Sequence, residues 1–286
     1  MSINGVWVPV ITPFKDDKVD FDSYKRLVEH YIGEGASGIM PVATTGESPT
    51  LSENEYEEIV AKSMEIVNGR IPVMIGLGGN NTKAVIEKLK MAEKHKVDGI
   101  LSVSPYYNRP DQRGIYAHFN AISQSTDLDI MLYNIPYRTG RNIENETLFK
   151  LAEKKNIIGV KDASGDYNKT IDLLLNRPEG FSVLTGEDNL FYSSLLLGGD
   201  GGIMASAHLR TKDFIQVYND IKNNDHQKAL KTWRELSKFI PLLFKEPNPT
   251  PIKYILEQKG LIDSAEVRLP LVGITEELKK ELGFII

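Results

Sequence analysis

Eight short β-rich apolar segments, a helix-period stretch after each, and a final run of helices alone predict an α/β chain: a (β/α)8 TIM barrel followed by a small C-terminal helical region. The strand segments are GVWVPVI (5–11), GIMPV (38–42), IPVMIG (71–76), GILSV (99–103), DIMLYN (129–134), IIGVK (157–161), FSVLTG (181–186) and GGIMAS (201–206). Between them, Tyr24, Leu27, Val28, Tyr31 and Ile32 recur at i, i+3, i+4, i+7 and i+8, the stripe of an amphipathic helix. Ser52 and Glu55 have the spacing of a capping box ahead of Ile59, Val60 and Met64. Strands joined by helices pair in parallel through right-handed crossovers. Eight such units fit a closed barrel better than an open doubly wound sheet, the alternative architecture.

After an eighth helix near 211–223 the pattern becomes helical only, in HQKALKTWRELSKFIPLLF, PIKYILEQKGL and TEELKKELGF, punctuated by Pro247, Pro249 and Pro251. The polar KNNDHQK marks the transition, so residues 1–224 are expected to form the barrel and residues 225–286 the helical region.

Composition narrows the function classes. At 286 residues and 41% hydrophobic content the chain can bury a large core. A net charge of −5 and the lack of a basic run interleaved with aromatics argue against a nucleic-acid surface. With no cysteine there is no disulfide, thiolate nucleophile or cysteine-ligated metal. The opening MSINGVWVPVITPFKDD has no basic n-region or long apolar core, and no apolar stretch reaches a membrane span, so a soluble, cytoplasmic chain is expected.

In such barrels, chemistry gathers at the C-terminal ends of strands. That rim receives Thr44 and Thr45 from ATTGES, Tyr106 and Tyr107 from SPYYNRP, Tyr133 and Arg138 from YNIPYRTG, and Lys161 from GVKD. Taken singly, each has a bland account: a glycine turn, packing aromatics, a strand tyrosine, a surface charge. Their convergence favours a site. A lysine in an apolar setting or near a second cation loses proton affinity, and its neutral form attacks a ketone to give an iminium. Lys161 is placed for this. Tyr133, Thr44 and Tyr107 can relay the protons of enamine formation. The backbone N–H groups of Thr44 and Thr45, leading toward the following helix, can hold a carboxylate, and Arg138 a second one. The implied substrates are a 2-oxo acid and an acidic or polar aldehyde.

Other features receive plainer readings. GLGGNN (76–81) lacks the third glycine of a dinucleotide fingerprint and reads as a tight turn, as does GGDGG (198–202) before the last strand. The 5 histidines show no paired metal spacing, and His208 reads as a loop or packing residue. Glu187 and Asp188 read first as loop caps, second as an acid–base group.

The motifs TTGES (44–48), SPYYNRP (104–110), YNIPYRTG (133–140), GVKDASGD (159–166) and LTGED (184–188), with the C-terminal LFKEPNPTPIK, resemble the pyruvate-dependent class I aldolase family that includes dihydrodipicolinate synthase and N-acetylneuraminate lyase. The resemblance spans essentially the whole chain. It implies Lys161 as the Schiff-base lysine and Thr44, Tyr107 and Tyr133 as the relay, with Tyr107 reaching a neighbouring subunit's site. It further implies the Thr44–Thr45 backbone on the pyruvate carboxylate, Arg138 on the carboxylate of aspartate semialdehyde, and Gly186 and Ile203 lining the pocket. No cofactor is implied, and the implied assembly is a homotetramer, a dimer of dimers. Arg138 favours the synthase branch over a sugar-acid aldolase or dehydratase; a catalytically silent 2-oxo acid sensor is the reading from another class. Two positions depart from the usual pattern: Tyr137, where a small residue is common, and Ala43, where GTTGE is commoner. Relatives regulated by lysine carry a histidine or glutamate cluster where this chain has Glu53, Tyr56 and Ala84, although Asn80 and Tyr106 remain. Weak or absent lysine inhibition is expected.

Overall fold

The structure, a computed structural model, describes residues 3–283. All eight expected strands form: β1 Gly5–Val8, β2 Gly38–Ile39, β3 Met74–Gly76, β4 Gly99–Val103, β5 Asp129–Asn134, β6 Ile157–Asp162, β7 Ser182–Thr185 and β8 Gly201–Ile203. The fold class is the expected (β/α)8 barrel with helices at the C-terminal end. Several strands are shorter than their apolar segments, for local reasons. Pro9 cannot donate to a ladder after Val8, and Val42 adopts φ 49° in the turn beyond β2. Beyond β8, Ala205–His208 winds into a 3-10 turn.

The chain divides into two compact units, one around Met74–Ile203 and the other combining Val6–Val73 with the segment from Met204 onward. In the first, β3 to β8 pair in sequence order, all parallel. Helices Thr82–Lys94, Gln112–Ser123, Asn145–Ala152, Tyr167–Asn176 and Phe191–Leu196 form the crossovers. Asn81, the last residue of GLGGNN, caps the first of these by accepting from the Ala84 amide at 3.3 Å, so that segment is a βα turn, as expected. Register places Tyr133 beside Lys161 and Asn134 beside Asp162. Side chains paired this way in parallel strands point to the same face, which brings the tyrosine to the lysine.

In the second unit β1 pairs in parallel with β2. Helix Phe21–Glu34 buries Tyr24, Leu27, Val28 and Tyr31 of the expected stripe, and Tyr24 shares a 2.6 Å hydrogen bond with Ser63 of helix Glu53–Val67. The Ser52/Glu55 capping box forms as the spacing predicts. Helices Thr211–Lys222, His226–Phe239, Thr250–Gln258 and Glu276–Leu282 follow. One element escaped the sequence reading: Phe14–Lys15 and Lys18–Val19 form a hairpin turned by Asp16 (φ 53°) and Asp17 (φ 58°). His208 is a packing residue: its Nε2 accepts from the Ile11 amide at 3.1 Å while Nδ1 donates to the Ala205 carbonyl at 2.7 Å. Burial pushes its pKa down to about 4, so the ring is neutral.

Candidate active site

Every residue of β6 is buried, and the apolar run IIGV carries Lys161 into an interior position, 6% exposed. Its ammonium lies 4.4 Å from the centroid of the Tyr133 ring, which is itself 6% exposed. Burial pulls the lysine pKa down to about 8; Asp188 and Glu187 oppose that shift, and Arg138 reinforces it. Gly186, just beyond β7, makes room for the side chain. A Cβ there would stand 2.6 Å from Lys161 Cε and 3.0 Å from its Cγ, so any other residue would displace the amine. Ile203 is buried at the end of β8.

The side chain of Glu187 does not cap the loop, as it was expected to. Glu187 precedes the 3-10 turn Asp188–Leu190 without a side-chain capping bond, and Thr185 Oγ1 instead accepts from the Glu187 amide at 3.1 Å. The two carboxylates act on Lys161 by charge. Burial and the neighbouring Asp188 raise the Glu187 pKa in turn.

Arg138 lies in the short helix Pro136–Thr139 that follows β5. It is exposed, its Nε donates to the Tyr137 hydroxyl at 3.2 Å, and its guanidinium sits 5.2 Å from the Tyr137 ring centroid. Among the described residues no carboxylate pairs with it, which leaves the terminal nitrogens for an anion. Tyr106 is half-exposed, and Tyr107, at φ 68°, is 90% exposed. The phenol of Tyr107 therefore points to solvent in the single chain and is not part of the Lys161–Tyr133 cluster.

A polar network unnoticed in the sequence braces the ends of β5 and β6. Asn134 Nδ2 donates to Asp162 Oδ1 at 2.9 Å and to Asn142 Oδ1 at 2.7 Å, while Asn134 Oδ1 accepts from the Ile143 amide at 3.0 Å. Asp162 Oδ2 accepts from Thr170 at 2.7 Å and Ser164 at 3.0 Å, and the buried Lys169 ammonium lies 3.8 Å from Oδ1. These contacts fix the residues that directly follow Tyr133 and Lys161. The signal in the sequence is only that a polar residue directly follows each of them, Asn134 after Tyr133 and Asp162 after Lys161.

Thr44 and Thr45 belong to the second unit, in a turn rather than at a helix N-terminus. The 3-10 segment Ser48–Thr50 separates them from helix Glu53–Val67, because the Gly46 and Glu47 amides fold back to donate hydrogen bonds to the Ala43 and Thr44 carbonyls at 3.1 Å. The amides of Thr44 and Thr45 find no acceptor among the described residues. Two adjacent free N–H groups retain the capacity for a carboxylate that was expected of a helix end. Among the described residues no cluster of three or more histidines and carboxylates is arranged to hold a metal, and no helix is long and apolar enough to cross a membrane.

Known proteins resemble this chain over its whole length. The dihydrodipicolinate synthetase family model matches residues 2–286. A 4-hydroxy-tetrahydrodipicolinate synthase from Clostridium acetobutylicum is 59% identical over 283 residues, covering 99% of each chain. A dihydrodipicolinate synthase structure from Thermotoga maritima superposes with a TM-score of 0.96 at 36% identity, covering 99% of both chains. One from Aquifex aeolicus gives 0.96 at 34% identity, covering 99% of this chain and 97% of the other. With a whole-length family match and a relative at 59% identity, the chain belongs to the dihydrodipicolinate synthetase family.

Proposed function

We propose that the chain condenses pyruvate with L-aspartate 4-semialdehyde to give 4-hydroxy-tetrahydrodipicolinate and water, through a Schiff base on Lys161. The observation that carries this reading is a buried lysine, its pKa down to about 8, packed on the Tyr133 ring at the end of β6. The neutral amine attacks the pyruvate ketone and water leaves, forming the iminium. Loss of a C3 proton gives the enamine, whose carbon attacks the aldehyde. The amino group of the semialdehyde then adds to the iminium carbon and expels Lys161. Tyr133, Thr44 and Tyr107 relay the protons, the last from a neighbouring subunit, which its exposure supports. The free amides of Thr44 and Thr45 hold the pyruvate carboxylate, Arg138 holds that of the semialdehyde, and Gly186 and Ile203 line the pocket. In this reading the chain works as a cytoplasmic homotetramer.

Borohydride reduction with pyruvate, followed by intact mass, tests the mechanism. A pyruvate-sized adduct is expected on the wild type and none on Lys161→Ala; an adduct that survives the substitution overturns the assignment. For the aldehyde, Arg138→Ala is expected to raise the KM for aspartate semialdehyde about 10-fold or more, the loss of a bidentate charged contact, with little change for pyruvate. Tyr137 stacked on Arg138 is the observation favouring a second reading, a pyruvate-dependent aldolase or dehydratase for a sugar acid. Faster turnover of a 2-keto-3-deoxy sugar acid than of aspartate semialdehyde would select it.

A further inference from the structure

We infer that the C-terminal segment Asn248–Lys253 sets the shape of the 42–48 turn, so that Asn248 and Lys253 are positioning residues for binding of the 2-oxo acid carboxylate. This deepens the role proposed above for Thr44 and Thr45 and rests on it.

The turn does not hold its shape by local preference. Val42 and Glu47, neither of them glycine, sit at φ 49° and 53°, a region that a β-branched valine in particular avoids. Such a conformation persists only where its surroundings over-determine it. Gly46 is hemmed in, since a Cβ there would stand 3.0 Å from the Val10 carbonyl oxygen, and Thr12 donates to the Gly46 carbonyl at 2.7 Å.

The remaining constraints come from the C-terminal region. Asn248 Nδ2 donates to Thr45 Oγ1 at 3.0 Å, which fixes that hydroxyl as an acceptor on one side and turns its own proton elsewhere. Two residues on, the carboxylate of Glu47 meets the Lys253 ammonium at 2.5 Å, the two side chains being 1% and 0% exposed. Glu47 Oε2 also accepts from the Arg268 amide at 3.1 Å. Lys253 in turn donates to the Glu266 carbonyl at 2.8 Å and lies 4.3 Å from the centroid of the Phe14 ring. A dehydrated ion pair does little for net stability, because desolvation offsets its attraction, but it tolerates only one arrangement. Thr45 and Glu47 are thus both tied to residues remote in sequence, and the direction of the two free amides follows from those ties.

Two variants separate positioning from folding. Asn248→Ala removes the donor to Thr45, and Asn248→Asp replaces it with a group of the same size that cannot donate. Each is expected to raise the pyruvate concentration for half-maximal borohydride trapping by about 3- to 10-fold, the range of one lost neutral hydrogen bond. The trapping rate at saturating pyruvate and the KM for aspartate semialdehyde should stay within about 2-fold, a split that a general loss of structure does not produce. The double variant Glu47→Gln with Lys253→Met removes both buried charges together, so neither is left unpaired, and the same rise in half-saturation is expected. Acetone, a ketone without the carboxylate, serves as the control for the underlying reading, because a side-chain change at Thr45 leaves both amides in place. If pyruvate is trapped at a much lower concentration than acetone while both Asn248 variants and the double variant leave pyruvate half-saturation within 2-fold of wild type, the positioning role is overturned and carboxylate recognition stands. If pyruvate needs as high a concentration as acetone although the adduct still forms, carboxylate recognition fails and takes this inference with it.

Discussion

In the proposed reaction Lys161 carries two opposed demands, because the burial that would prepare its amine also weakens the fold. With its pKa at about 8, about a tenth of the population is neutral at pH 7, against well under a thousandth for an unperturbed lysine. The rate of pyruvate trapping by borohydride should therefore climb about tenfold per pH unit below 8 and level above it. A profile that keeps climbing to pH 10 would mean that the amine is not depressed. The stability effect has a definite sign. The folded pKa lies below the unfolded value of 10.5, so the unfolded chain binds more protons between pH 8 and 10.5, and stability rises with pH across that window. Below pH 8 the full penalty is present, up to about 3 kcal/mol. Lys161→Met should accordingly melt above the wild type at pH 7, with the gap closing as pH passes 8 toward 10. Thermal unfolding at pH 7 and pH 9.5 checks this, and equal gaps at both would remove burial of the charge as the cause. Gly186→Ala probes the same residue by volume. Its Cβ would intrude to 2.6 Å from Lys161 Cε, so a loss of about 100-fold or more in trapping rate is expected with the fold retained.

The strands bearing Tyr133 and Lys161 were legible because each is a continuous apolar run, the signature of a strand covered on both faces. Their polar ends were less legible. Asn134 and Asp162 look like ordinary strand-end residues until register sets them side by side, and register is a long-range property that no local window contains. The hairpin at Phe14–Val19 was missed for another reason. Its two-residue strands are too short for an alternating pattern, although Asp-Asp between them is a turn signal. Acidic loop residues usually serve locally, so a cap is the natural reading of Glu187, while the effect of Glu187 and Asp188 on Lys161 depends on how β6 and β7 lie together. The network at the ends of β5 and β6 yields a prediction at this scale. Asp162→Ala strands the buried Lys169 ammonium and frees Asn134, Ser164 and Thr170 from a shared acceptor. A destabilisation of about 3 to 5 kcal/mol is expected, as for a buried charge left without its partner. Urea unfolding measures it. In Asp162→Ala combined with Lys169→Met about half of the loss should return, and no recovery would exclude the charge pairing as its source.

Family membership follows from the whole chain, yet one proposed catalytic group, Tyr107, stands out into solvent in the single chain. Tyr107 sits at φ 68° with 90% of its surface exposed, a costly conformation for an aromatic side chain that touches so little of its own subunit. A phenol held out in this way suits delivery to a second copy, and closed two-fold symmetry would make the exchange mutual. Complementation distinguishes this from service within the same chain. In a hybrid of Lys161→Ala with Tyr107→Phe, a donated tyrosine leaves one site with an intact lysine and an intact phenol, while the other site lacks both. Random reassociation of equal amounts gives hybrids in half of the pairs, so about a quarter of wild-type activity should return from two parents of low activity. If Tyr107 serves its own chain, every site in the mixture lacks one group or the other, and activity stays at the parental level whatever the mixing ratio.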